Sequence, residues 1–135
     1  MLRTTLPLRS TAISHSWEVA HWFEPLRSIR HEELWCVLLA RDLMPTKLRR
    51  IARGESDSVR VQPRDVLRPV LIERAAAFIL VHNHPSGDAT PSDADRTFTD
   101  QIVAGAEILG LGLVDHVVIG RPGYFSFADE GWCDP

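Results

Sequence analysis

Two apolar runs, residues 34–40 and 75–81, constrain the possible fold more than any other feature of the chain. Each is apolar at odd and even positions alike, as expected of a strand covered on both faces. The second runs directly into His82-Asn83-His84-Pro85-Ser86-Gly87-Asp88-Ala89-Thr90-Pro91-Ser92-Asp93-Ala94-Asp95. That stretch reads as a strand end, a Pro/Gly-punctuated polar loop and the start of a helix.

The rest of the chain fits around these strands. Ser14 or Ser16 is expected to cap a first helix carrying Trp17, Ala20, His21 and Phe23, with Leu26 beyond a break at Pro25. Residues 47–53 alternate loosely and suit a strand with one wet face, ended by Gly54. Residues 59–61 read as a short extended piece. Pro63 opens a second helix with Val66, Leu67, Val70 and Leu71 at helical spacing, which Pro69 is expected to kink or shorten. Residues 92–109 predict the longest helix, with Phe98, Ile102, Ala106 and Leu109 as its stripe. Strands over 113–119 and 124–127 complete the pattern. Strands alternating with helices predict an α/β sheet with helices packed on it. One domain over residues 14–135 follows a loose leader at 1–13.

The histidines carry the chemistry. Residues i and i+2 of an extended chain share a side, so His82 and His84 point the same way. Two neutral imidazoles at a strand end suit Zn²⁺; a polar pair at a solvated strand end is the plainer reading. Ser92-x-x-Asp95 is a capping pattern, yet Asp95 also lies three residues before Phe98, on the inward stripe. A carboxylate facing inward needs a partner, and a metal shared with His82 and His84 would supply it. Ser92 can cap the helix or donate to an oxyanion beside a metal. A general base is also required, and Glu32, Glu33, Glu55, Glu73 and Glu107 are candidates by type. These residues alone leave the choice open.

The spacing H-x-H, seven residues, S, two residues, D is the JAMM motif of the JAB/MPN metalloproteases. The fuller string H-N-H-P-S-G-D-x-T-P-S-x-x-D resembles the RadC family more closely. Val61-Gln62-Pro63-Arg64-Asp65-Val66, Arg53-Gly54 and Asp115-His116-Val117-Val118-Ile119-Gly120 resemble that family's flanking segments. The resemblance runs from about residue 16 to 129. It implies a mixed β-sheet flanked by helices, in a JAB/MPN (cytidine-deaminase-like) domain. It also implies His82, His84 and Asp95 as zinc ligands and Ser92 as the group stabilising a tetrahedral intermediate. Glu32-x-Leu34-x-Cys36-Val37-Leu38 fits the register of the family's catalytic glutamate, with Glu33 as the one-residue slip to the opposite face. His116 is either a group orienting a ligand or a hydrogen-bonded histidine on a strand. Asn83 and Asp88 are expected to order the loop through side-chain-to-backbone bonds, and Pro85 and Pro91 to stiffen it.

The resemblance therefore implies a zinc-dependent metallopeptidase or isopeptidase with a peptide or protein substrate. The family's link to DNA repair gives the alternative, a nucleic-acid-associated protein without peptidase activity. Nine Lys/Arg against five Asp/Glu between residues 41 and 74 would serve that alternative. A net charge of −3, no aromatics interleaved with the basic residues and no expected helix-hairpin-helix module weigh against it. A third reading, an inactive metal-binding scaffold, has little support because all five functional positions are filled. A zinc deaminase is disfavoured by the missing P-C-x-x-C. Cys36 lies in an apolar run and Cys133 has no CxxC partner, which suits reduced thiols and a cytoplasmic protein. No secretory signal or membrane-spanning run is expected, and the oligomeric state is not legible.

Overall fold

The computed structural model describes residues 12–54 and 61–132. Its centre is β1 (Glu33–Leu39), in which every residue is buried. A strand buried throughout needs neighbours on both edges and cover on both faces. β2 (Pro45–Arg53) pairs antiparallel on one edge and β3 (Ala77–Asn83) antiparallel on the other. β4 (Gly112–Ile119) pairs parallel with β3, and β5 (Tyr124–Ser126) antiparallel with β4. The sheet is thus mixed, in the order β2-β1-β3-β4-β5. β2 is the wet edge, with Leu48 inward and Thr46, Lys47 and Arg50 exposed, charges that discourage edge-to-edge pairing.

Helices cover both faces. Trp35, Val37, Ile79, Val81, Val117 and Ile119 pack against Val19, Trp22 and Phe23 of the α1 region (α1, Ser16–Trp22) and Leu26 of a 3₁₀ turn (Glu24–Ser28). On the other face Leu34, Cys36, Leu38, Phe78, Leu80 and Val118 meet α2 (Pro63–Ile72) and α3 (Asp93–Ile108). The side chains at 78 and 80 point to this second face, and by the strand period those at 82 and 84 follow them. Leu34 pairs with His82, so the start of β1 lies beside the end of β3.

α3 has legible ends. Ser92 accepts the Asp95 N–H at 3.0 Å, while Asp95 accepts the Ser92 N–H at 2.8 Å, a reciprocal cap favoured by the helix dipole. At the other end Gly110, at φ 72°, turns the chain so that Leu111 N–H reaches the Ala106 carbonyl at 2.8 Å.

Several expectations need correction. The first helix is capped at His15, not at Ser14 or Ser16, because Glu18 Oε1 takes the N–H of both Ser14 and His15. Pro69 does not end α2, which runs on to Ile72. The proline removes one hydrogen bond near the end of a short helix whose Val66, Leu67 and Val70 are buried. Leu71 and Leu109 are exposed rather than core, and the buried line of α3 is Thr99, Ile102 and Ala106. Residues 1–11 of the leader expected over 1–13, residues 59–60 of the extended piece expected over 59–61, Glu55 and Cys133 lie outside the described residues. Among the described residues no helix is long and apolar enough to cross a membrane.

Candidate metal centre

β3 delivers its last residues to the cleft between the sheet and α3. His82 ends buried, and His84, one residue past the strand, continues the pairing through its N–H to the Ile119 carbonyl (3.0 Å). The two Nε2 atoms lie 3.0 Å apart. Asp95, on the first turn of α3, sets Oδ2 2.9 Å from His84 Nε2 and Oδ1 3.4 Å from His82 Nε2. Ser92 Oγ, engaged as acceptor in the cap, keeps its own hydrogen for another partner.

Each ring is oriented from behind. His84 Nδ1 lies 2.8 Å from the Asp88 carbonyl, which can only accept, so Nδ1 carries the proton and Nε2 presents a lone pair. His82 Nδ1 lies 2.8 Å from Nε2 of buried His116 on β4. Two imidazole Nε2 atoms and a carboxylate therefore converge on one spot. Two imidazoles and a carboxylate this close are a donor set that could hold a metal ion.

Glu32 joins this group. Its carboxylate and the nitrogens of His82 and His84 lie within 4.8 Å of one another. Glu33 faces the other way, buried, accepting from Trp35 Nε1 at 2.8 Å and meeting His31 Nε2 at 2.6 Å. Glu73 pairs with Lys47 and Arg49, and Glu107 is exposed near the C-terminal end of α3. Asn83 does not order the loop after His84 as expected; its side chain bonds across the sheet instead. Its Oδ1 accepts the Glu33 N–H (2.8 Å) and its Nδ2 donates to the His31 carbonyl (2.9 Å). The residue between the two histidines thereby clasps the backbone on both sides of Glu32.

The loop after His84 is held from β4's end. Arg121 donates to the Pro85 carbonyl at 3.0 Å and its N–H to the Gly87 carbonyl at 2.7 Å. Gly120 lets the loop lie against the sheet, since a Cβ there would sit 2.5 Å from the Gly87 oxygen. Asp88 orders the loop as expected, accepting the Thr90 N–H at 3.0 Å. Beside the polar cluster opens a cavity of about 400 Å³ with Leu34, Val61, Ala94 and Phe98 in its wall and Glu32, His82 and Asp95 at its polar end.

The electrostatics have a definite sign. Burial pushes the Asp95 carboxyl up, but the imidazoles of His82 and His84 outweigh it and hold the group far below the usual carboxylate range. Burial lowers His84, yet Asp95, the Asp88 carbonyl and Glu32 together raise it. Burial drives His116 well below an ordinary histidine. In the metal-free protein the His84 contribution is full below about pH 6.5, the unfolded histidine value, and is lost as pH rises through the raised folded value. The Asp95 contribution is full above about pH 3.9 and is lost only in stronger acid. The pair thus stabilises the metal-free domain most between those limits. A ligating histidine must shed its proton, so metal binding strengthens in the opposite direction. Melting curves from pH 5.5 to 8 are expected to show zinc raising Tm by an increment that grows with pH. An increment that shrinks would contradict this assignment.

The family model described as RadC-like JAB domain matches residues 13–132. A UPF0758 protein of Thermotoga maritima is 53% identical over 78 residues, which make up 58% of this chain and 35% of that protein. The chain thus spans about a third of the length of this curated relative.

Proposed function

The chain belongs to the RadC-like JAB domain family, and we propose that it is a zinc-dependent hydrolase that cleaves a peptide or isopeptide bond. The observation that carries the reading is the convergence of His82 Nε2, His84 Nε2 and the Asp95 carboxylate, with the Glu32 carboxylate beside them. His82, His84 and Asp95 would hold the ion. When bound, zinc supplies Lewis acidity and brings the pKa of a water to about 7.

This chain's residues do the rest. Glu32 takes the proton from the attacking water and returns it to the leaving nitrogen. The Ser92 hydroxyl donates to the developing oxyanion of the scissile carbonyl. The apolar wall of Leu34, Val61, Ala94 and Phe98 receives a substrate side chain next to the bond. Nucleic acid is favoured less by the net charge of −3, and two of the basic residues, Lys47 and Arg49, are paired with Glu73.

The test is incubation of the zinc-loaded chain with two libraries, unstructured peptides and peptides joined through a lysine ε-amine. Mass spectrometry is expected to find new amine termini or freed lysine side chains, abolished by a chelator and restored by zinc. Cleavage of neither library, or cleavage that survives chelation, would overturn the reading.

A further inference from the structure

Thr99 is a polar residue in the most buried line of α3, and the activity proposed above does not use it. It is fully buried, as is His116 (0% and 1% exposed). Its Oγ1 lies 2.8 Å from the Asp95 carbonyl oxygen and 2.7 Å from His116 Nδ1. On the far side of the His116 ring, Nε2 lies 2.8 Å from His82 Nδ1. Three hydrogen bonds therefore link the backbone of one candidate ligand, Asp95, to the ring of another, His82.

The direction of each bond is fixed from one end. A carbonyl has no hydrogen to give, so the single Thr99 hydroxyl hydrogen goes to Asp95. Thr99 Oγ1 must then accept, and the proton between it and His116 belongs to His116 Nδ1. A ring buried against Phe127, with centroids 4.8 Å apart and planes 10° from parallel, is in no surroundings to carry a second proton. His116 Nε2 is therefore bare and accepts from His82 Nδ1–H. That leaves the lone pair of His82 on Nε2, the atom facing His84 and Asp95.

We propose that Thr99 is a positioning residue which, through His116, fixes the proton of His82 on Nδ1 and so reserves Nε2 for the metal. The inference rests on the metal-site reading for its purpose, but not for its geometry. Without the hydroxyl, His116 Nδ1 has no acceptor. The His116 proton then moves to Nε2, the bond to His82 reverses, and the His82 proton moves onto the atom that should ligate. Outer partners of ligating histidines typically alter metal affinity by about 10–100-fold, and a loss in that range is expected for Thr99→Val. Thr99→Ser keeps the hydroxyl and is expected to restore wild-type affinity.

The test joins two readouts. Long-range ¹H–¹⁵N spectra of the histidine rings, recorded on metal-free and zinc-loaded chain at neutral pH, report which nitrogen of His116 is protonated. Wild type is expected to show Nδ1–H in both forms, and Thr99→Val to show Nε2–H. Zinc affinity, measured by competition with a chromophoric chelator, is expected to fall in Thr99→Val and recover in Thr99→Ser. A wild-type His116 protonated on Nε2 overturns the proposal, even if Thr99→Val does not fold. So does a folded Thr99→Val that binds zinc as tightly as wild type. Failure of wild type to bind zinc at all would instead sink the metal reading, while the metal-free spectrum still decides the proton positions.

Discussion

Glu32→Gln is expected to lower hydrolytic turnover by about 10²–10⁴-fold while zinc affinity stays within a few-fold of wild type. The amide keeps nearly the same shape but cannot take a proton from water. Its partners in the cleft, His82 and His84, keep their own supports from His116 and Asp88. Glu33→Gln is the matched control. It sits one residue away but on the opposite face, bonded to His31 and Trp35. That substitution is expected to cost stability, about 1–3 kcal/mol for a buried charge-assisted bond, and to leave turnover close to wild type. Steady-state kinetics on any cleaved peptide, with calorimetric zinc titration, separates the two. Equal losses of turnover in both variants would refute the assignment of Glu32.

The largest structural effect is expected from Gly120→Ala. The new Cβ would lie 2.5 Å from the Gly87 oxygen and 2.9 Å from the Ala89 nitrogen, both backbone atoms that cannot swing aside. Either β4's end or the whole 87–89 segment has to move. Overpacking of this kind costs about 1–3 kcal/mol, and more where backbone must yield. The segment carries Asp88, whose carbonyl orients His84, so zinc affinity is expected to drop by at least about 10-fold as that support shifts. Gly123→Ala, where a Cβ would meet nothing within 4 Å, is expected to change stability by less than about 0.5 kcal/mol. Urea unfolding of the two variants checks the difference, and equal midpoints would show that the close approach is not a constraint.

The parts of this fold that were legible from sequence are those encoded locally. Residues 34–40 and 75–81 announce buried strands because burial on both faces leaves no polar position. Ser92 and Asp95 announce a helix start because the cap is closed within three residues. What escaped is encoded between elements. Apolar periodicity drew the stripe of α3 through Phe98 and Leu109. The buried line instead runs through Thr99, whose hydroxyl is satisfied by His116, seventeen residues away. The role of Asn83 depends on its meeting the backbone of 31 and 33 across the sheet, a contact fifty residues long in sequence. Gly120 looks like any turn glycine until the loop is seen lying on it. Glu32 and Glu33 are equivalent by residue type. Only the family register chose between them in the sequence, whereas in the fold the strand's alternation sends one to the cleft and the other into a cluster with Trp35. Pro69 does not stop α2, because burial of Val66, Leu67 and Val70 offsets its cost.

The central claim is that His82, His84 and Asp95 form one metal site. Calorimetric titration of zinc into metal-free chain at pH 7.5, repeated on His84→Ala and Asp95→Asn, tests it most directly. The account expects one zinc per wild-type chain, with binding weakened by orders of magnitude in both variants while they remain folded. No stoichiometric binding by wild type, or binding that survives both substitutions, would contradict it.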